Sequence, residues 1–251
     1  LGPRNGNADD AIRNYGHIVV DEVQDLSPMQ LRMLTRRSLS GSMTVVGDIA
    51  QATAPWAPRR WSDITDHLPK RRPPKQVELT VSYRTPAEVI EVAARVLAVA
   101  APELKAPTPV RKTGVPPRVV RAEPSSDHTL VARRVAEAAA EEVAAVGSGR
   151  VAVLAPEELL TPIAAALAES GSPVVDPRDM RRGGLADPLV LLAAGAANGL
   201  EFDAVVVAEP SLIAGTTARG LRTLYVALTR PTQRLTLVHA APLPAPLADL
   251  D

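Results

Sequence analysis

Carboxylates and amides with the spacing needed for phosphoryl transfer are concentrated in the stretch His17 to Asp25, HIVVDEVQD. A short β-branched run, His17 to Val20, stops abruptly at Asp21 and Glu22, with Gln24 and Asp25 just beyond. Such a run suits a buried strand in the middle of a parallel sheet, covered on both faces. Open α/β sheets bind ligands at the carboxyl ends of their strands, so the acidic residues stand where a phosphate and its metal ion would sit. An adjacent Asp-Glu pair can divide the work: the first carboxylate holds Mg²⁺ and the second takes a proton from attacking water. The alternative for such a pair taken alone is an acidic surface turn. Which reading holds depends on what the remaining segments supply.

The elements that must position these groups are legible nearby. Ser27-Pro28-Met29-Gln30 places Ser at a helix N-cap, Pro at the first helical position and Gln at the third, which predicts a helix from there to about Ser38. Gly41 ends it, and Met43 to Val46 form a second apolar strand that stops at Gly47-Asp48, with Gln51 three residues later. The unit is βαβ, and both of its strands end in polar groups on one sheet edge.

Farther along, Thr53 to Lys75 is rich in proline and arginine and contains Trp56 and Trp61. A domain boundary is expected there, and the basic residues Lys70, Arg71, Arg72 and Lys75 read as a solvated linker. Val77 to Ser82 alternates as a strand, a helix is expected from Ala87 to Val99, and the proline-rich segment Ala101 to Pro117 reads as a connector. Val119 to Arg121, Val151 to Leu154, Ala204 to Val207 and Leu235 to Val238 are predicted strands. Between them, Ser125 to Asp127 can cap a helix running to Val146, while Thr161 and Pro162 start another that Gly171 stops. Alternating strands and helices imply a second parallel sheet. Gly147 to Arg150 is glycine-rich, but no Lys-Ser/Thr follows, so it reads as a turn. The proline-rich C-terminal tail reads as frayed.

Composition narrows the classes. With 251 residues and 46% hydrophobic content the chain can bury one large core or two moderate ones. Basic and acidic residues balance at 28 each, so any nucleic-acid contact must be local. The absence of cysteine excludes disulfides and thiolate metal sites, and the four histidines lack metal-ligand spacing. No apolar run approaches the roughly 20 residues of a membrane span. A soluble, cytoplasmic protein with no membrane contact is expected. Arginine outnumbers lysine 24 to 4, the bias of a GC-rich coding sequence.

Five segments, in order, resemble the motifs of superfamily 1 helicases of the UvrD/Rep type. Val20 to Asp25 looks like motif II and Val46 to Gln51 like motif III. Ser82-Tyr83-Arg84-Thr85 is similar to motif IV, Asn198 to Asp203 to motif V, and Tyr225 to Arg230 to motif VI. The resemblance implies a RecA-like P-loop NTPase fold, α/β with parallel sheets flanked by helices. It places the end of a first RecA-like domain at residues 1–76 and a second at 77–251. It also implies ATP and Mg²⁺ as cofactors: Asp21 on the metal, Glu22 as base, Gln51 on the γ-phosphate, Tyr83 stacked on adenine and Arg84 reaching the γ-phosphate. Gly199 and Glu201 of motif V lie toward the nucleotide sugar, and Arg230 is an arginine finger, a group that contributes roughly 10³ to 10⁵ in rate.

Departures qualify this assignment. Asn198 stands where the family has lysine. After Gln51 the family's DNA-gripping Tyr and two arginines are replaced by Ala54, Pro55 and Ala57, which leaves Trp56 as the candidate platform for stacking a nucleic-acid base, a contact worth roughly 1–3 kcal/mol; the other reading is that Trp56 and Trp61 simply pack a loop against the domain. The phosphate loop Gly-x-x-x-x-Gly-Lys-Ser/Thr is missing from the sequence. The expectation is therefore the C-terminal part of a longer ATPase, dependent on an upstream portion of the same polypeptide. The wording of motifs II and III looks most like the HelD branch, which implies RNA polymerase as partner and weak DNA binding. The other hypothesis is a non-catalytic RecA-like module that docks on RNA polymerase or another protein.

Overall fold

The computed structural model describes residues 14–70, 73–125, 128–172 and 188–251. Most of the expected polar lead-in over residues 1 to 14, Arg71 and Arg72 of the basic linker, and Ser126 and Asp127 of the helix cap lie outside the described residues. The chain divides into two compact units, Leu1–Val77 and Glu78–Asp251.

In the first unit, β1 (Ile18–Val20) pairs in parallel with β2 (Met43–Val45), Ile18 lying opposite Met43 and Val20 opposite Val45. The crossover is α1 (Pro28–Arg37), and it begins as its sequence dictates. The Ser27 hydroxyl accepts from the Gln30 amide while the Gln30 side chain accepts from the Ser27 amide at 2.8 Å, a reciprocal cap that satisfies two otherwise orphaned donors. A short helix, α2 (Trp61–Thr65), follows, and Thr35 Oγ1 of α1 donates to the His67 carbonyl at 2.9 Å beside it. One expectation needs correction. Val20 is buried but Val19 is 69% exposed, so β1 is covered on one face, and the sheet of this unit holds two strands among the described residues. A strand's side chains alternate between faces, so covering one face buries alternate residues of an apolar run and leaves the rest in water.

The second unit begins with β3 (Val81–Ser82), α3 (Ala87–Ala100) and β4 (Thr108–Pro109), the two strands pairing in parallel. The strand expected from Val77 shortens to two residues. Val77 and Leu79 are 68% and 84% exposed, and an alternating pattern cannot hold a strand without a surface to bury it. The connector in turn supplies β4, through Thr108 and Val110 amides donating to the Thr80 and Ser82 carbonyls at 2.7 and 3.1 Å.

The main sheet has five parallel strands. They are β5 (Arg118–Arg121), β6 (Val151–Ala155), β7 (Leu189–Ala193), β8 (Phe202–Ala208) and β9 (Pro231–His239), in the order β5-β9-β8-β6-β7. Helices α4 (Thr129–Val146) and α5 (Leu160–Glu169) bury Val135, Ala139, Ile163 and Leu167 against Val151, Val153, Ala204 and Val206. The intervening Ala152, Leu154, Val205 and Val207 are equally buried, so both faces of the central strands are covered. Two further helices, α6 (Pro210–Ala214) and α7 (Ala218–Leu228), complete the unit, with α3 packed on α7. The run Leu189 to Ala193 is ambiguous between helix and strand by periodicity alone, and pairing with β6 decides it. Helix α5 starts before Thr161 because a 3-10 turn over Glu157–Leu159 leads directly into it. Gly171 does stop it: at φ 72° its amide returns to the Ala168 carbonyl, and Ser172 donates to Leu167.

The C-terminal tail is docked rather than frayed. A 3-10 turn over Ala245–Leu250 buries Leu247 completely, and the Asp249 carboxylate accepts two bonds from Arg95, each 2.7 Å. Truncating Leu247 to Ala should lower the stability of this unit by about 2–5 kcal/mol. Denaturant unfolding reads this directly, and an unchanged midpoint would mean that the tail contributes nothing.

Candidate functional site

Each unit carries its own set of the candidate residues. In the first, Asp21 and Glu22 follow the last residue of β1, and Gly47 to Gln51 follow β2. The parallel ladder runs slightly past the strands, with the Val46 amide donating to Val20 at 2.8 Å and the Val23 amide to Val46 at 3.1 Å, so both polar ends stay side by side. Asp21 and Glu22 are exposed, and Asp21 Oδ1 accepts from the Glu22 amide at 2.9 Å. Glu22 has φ 49°, a left-handed backbone uncommon for a residue with a side chain. Strain of this kind persists only where the surroundings over-determine the conformation.

Gln24 is 2% exposed and joins the two ends. Its Nε2 donates to Glu22 Oε2 at 2.6 Å, and its Oε1 accepts from the Asp48 amide at 3.0 Å. Asp48 in turn accepts from Ala50 N at 2.9 Å through Oδ1 and from Gln51 Nε2 at 2.8 Å through Oδ2. Glu22 and Gln51 are thereby linked through two residues that had no assigned role, Gln24 and Asp48. The signal available for them was a polar residue in each motif where a turn must close. Gly47 is required here, since a Cβ would fall 2.5 Å from Gln24 Oε1 and 2.8 Å from Val23 Cγ1.

Among the described residues no cluster of three or more His, Cys, Asp or Glu side chains could form a metal cage. Mg²⁺ is commonly held by one or two carboxylates together with substrate phosphates and water, and Asp21 offers a hard oxygen ligand of that kind. Trp56 is half exposed, and its indole Nε1 donates to the Asp25 carbonyl at 3.1 Å, fixing the ring beside Leu26, Pro28 and Ile64.

In the second unit Tyr83 and Arg84 follow β3, while two other candidates stand at the other kind of edge. Glu201 and Arg230 immediately precede β8 and β9, so both lie at amino ends of strands, and Phe202 pairs with Pro231 beside them. Gly199 turns the chain at φ 71°, with Leu200 donating to Ala197 at 3.1 Å. Arg84 forms an ion pair with Glu201 at 2.5 Å, while Tyr83 is 76% exposed. Arg230 is only 5% exposed, and its guanidinium bonds inward: Nε to the Val226 carbonyl at 3.0 Å, Nη1 to the Leu200 carbonyl at 3.2 Å. Motifs V and VI are thus joined through this side chain. Asp203 anchors the Gly147–Arg150 turn by accepting from the Arg150 amide at 2.8 Å, and from Gln233 Nε2 at 2.7 Å.

Among solved structures, the chain is similar to the C-terminal domain of a possible DNA helicase from Lactobacillus plantarum WCFS1, at 22% identity and a TM-score of 0.53, over 68% of this chain and 94% of that one. The fold is RecA-like. The chain also matches the PRRSV helicase at 16% identity and a TM-score of 0.43, over 88% of this chain and 34% of that one. No family model matches the sequence, and no curated protein does.

Burial, and then the nearby Glu22 carboxylate, raise the Asp25 pKa above its ordinary value of 3.8. A carboxyl group whose folded pKa exceeds its unfolded one destabilises the fold once ionised, and that cost disappears as pH falls below the unfolded value. Asp25→Asn should therefore raise the unfolding midpoint at pH 7, with the gain shrinking toward zero below the ordinary carboxylate range. A gain that persisted unchanged in acid would show that ionisation is not its source.

Proposed function

We propose that this chain is the C-terminal part of an ATP-dependent, helicase-like motor that couples hydrolysis to remodelling of RNA polymerase complexes, with nucleic acid a weaker ligand. The observation that carries the reading is the hydrogen-bonded series Glu22–Gln24–Asp48–Gln51, which joins a candidate base to a candidate phosphate contact at the carboxyl ends of two parallel strands. In the helicases these motifs resemble, the groups corresponding to Asp21, Glu22, Gln51, Tyr83, Arg84, Gly199, Glu201 and Arg230 serve one nucleotide. ATP with Mg²⁺ supplies the phosphoryl group and neutralises its charge. The residues of this chain would hold the ion through Asp21, accept the water proton at Glu22 and offset developing charge with Arg84 and Arg230. The RecA-like fold supports this reading without deciding the chemistry.

A second reading, a non-catalytic docking module, draws on one observation. The Arg230 guanidinium is turned onto carbonyls of its own unit rather than outward. Kinetics on the full-length polypeptide separate the two. Glu22→Gln should leave nucleotide affinity nearly unchanged and lower turnover by roughly 10² to 10⁴, because the amide keeps the shape but cannot accept a proton. Arg230→Ala should also act chiefly on turnover. A wild-type protein that binds its partner but has no turnover for either variant to lose would favour the docking module.

The partner is a separate question. With charges balanced, the counterion-release term that dominates nucleic-acid affinity has only local arginines to draw on. Fluorescence anisotropy with single-stranded DNA should show weak binding, steeply reduced by salt and further reduced in Trp56→Ala, while core RNA polymerase is retained in a pull-down. Tight DNA binding with processive unwinding and no polymerase capture would instead assign an ordinary helicase.

A further inference from the structure

Gln24 is buried, polar and unused by the mechanism above, and its surroundings leave it a single arrangement. Its amide is bracketed by an acceptor, Glu22 Oε2 at 2.6 Å, and a donor, the Asp48 backbone N–H at 3.0 Å. Reversing the amide would set its NH₂ against the Asp48 N–H and its oxygen against the Glu22 carboxylate, so both contacts would turn repulsive. Gly47 lies against the same head group, since a Cβ there would fall 2.5 Å from Oε1. Glu22, held at one end of this amide, is also the residue with the left-handed backbone.

We infer that Gln24 is a positioning residue: it fixes the Glu22 carboxylate and ties it mechanically to the loop that carries Gln51. The inference rests on the reading of Glu22 as the base. A displacement of Gln51 reaches Asp48 through the 2.8 Å bond to Oδ2, and Asp48 passes it through its backbone amide to Gln24 and so to Glu22. Occupancy at Gln51 is thereby coupled to the placement of the base, with no side chain crossing open solvent. An amide is the group this task needs, since the two neighbours demand one donor and one acceptor from a single planar head. A carboxylate would meet Glu22 with like charge, and an aliphatic chain would take from the part-buried Asp48 N–H the acceptor it has in Gln24 Oε1.

Two measurements test it. In the 251-residue chain, Glu22→Ala should shift the NMR signals of the Gln24 side-chain NH₂ and of the Asp48 backbone amide. The same signals should move in Gln51→Ala, reached from the other end. Changes confined to residues 20 to 25 and leaving Asp48 unmoved would overturn the relay whatever the enzyme does. In the full-length protein, Gln24→Met should lower kcat on the order of 10²-fold with little change in KM, the loss expected when a reacting group is misplaced by about 1 Å. It should add nothing to Glu22→Gln, whereas a merely structural role would lower stability and add to it. If Glu22→Gln itself left turnover intact, the base assignment would fall while the resonance shifts would still decide the link. If Glu22→Gln were inactive and Gln24→Met fully active, the positioning role alone would fall.

Discussion

Parallel strand pairing is the constraint on which both sets of candidate residues depend. When two strands run the same way, their like ends meet on one edge, and groups far apart in sequence become neighbours without any long side chain reaching across. Ile18 opposite Met43 and Val20 opposite Val45 fix this register in the first unit, so DEVQD and GDIAQ end together. In the second unit, β8 beside β9 does the same for Glu201 and Arg230, at the opposite kind of edge. In the second unit the polar chemistry therefore sits on backbone geometry that apolar burial enforces. The central strands β6 and β8 are buried along almost their whole length.

The two edges are built with different electrostatic stiffness. Asp21 and Glu22 are exposed, and one buried amide, Gln24, secures the more strained of them. Arg84 and Glu201 form an ion pair with side chains 62% and 39% exposed, and a pair so open to water contributes about 0–1 kcal/mol. Opening such a pair to another charged group costs little. Arg230 is held more firmly, by carbonyls of Val226 and Leu200 in a nearly dry setting. Reorienting it means breaking charge-assisted bonds, each stronger than a neutral one.

Support for the second edge comes from Glu142, outside the motifs, and from Asp203 at the end of motif V. Glu142, nearly fully buried on α4, accepts from Arg234 at 2.5 Å and from Thr236 Oγ1 at 2.8 Å, which ties the helix to β9. Asp203 sits at an irregularity in the β8–β9 register and binds both the Arg150 amide and Gln233. Gly149 is held to glycine by the same carboxylate, 2.9 Å from where a Cβ would stand. The glycine-rich turn is thus explained by packing against motif V, with no ligand required.

Much of this was written locally and could be read locally. Ser27 and Gln30 specify the start of α1, Gly171 specifies the end of α5, and the runs at Val151 and Ala204 specify buried strands, because caps, left-handed stops and apolar periods act over a few residues. The residue types at Asp21, Glu22, Gln51, Arg84, Glu201 and Arg230 were equally plain. Position in space was not. Val19 lies exposed, Val77 and Leu79 fail to form a strand, and Leu247 docks the tail, since each outcome depends on which distant surface is present to bury an apolar side chain. The inward turn of Arg230 and the bridging amide of Gln24 belong to the same class. Sequence determined which donors and acceptors exist, and tertiary structure alone decided which of them meet, because a hydrogen bond is won by whatever group folding brings within about 3 Å.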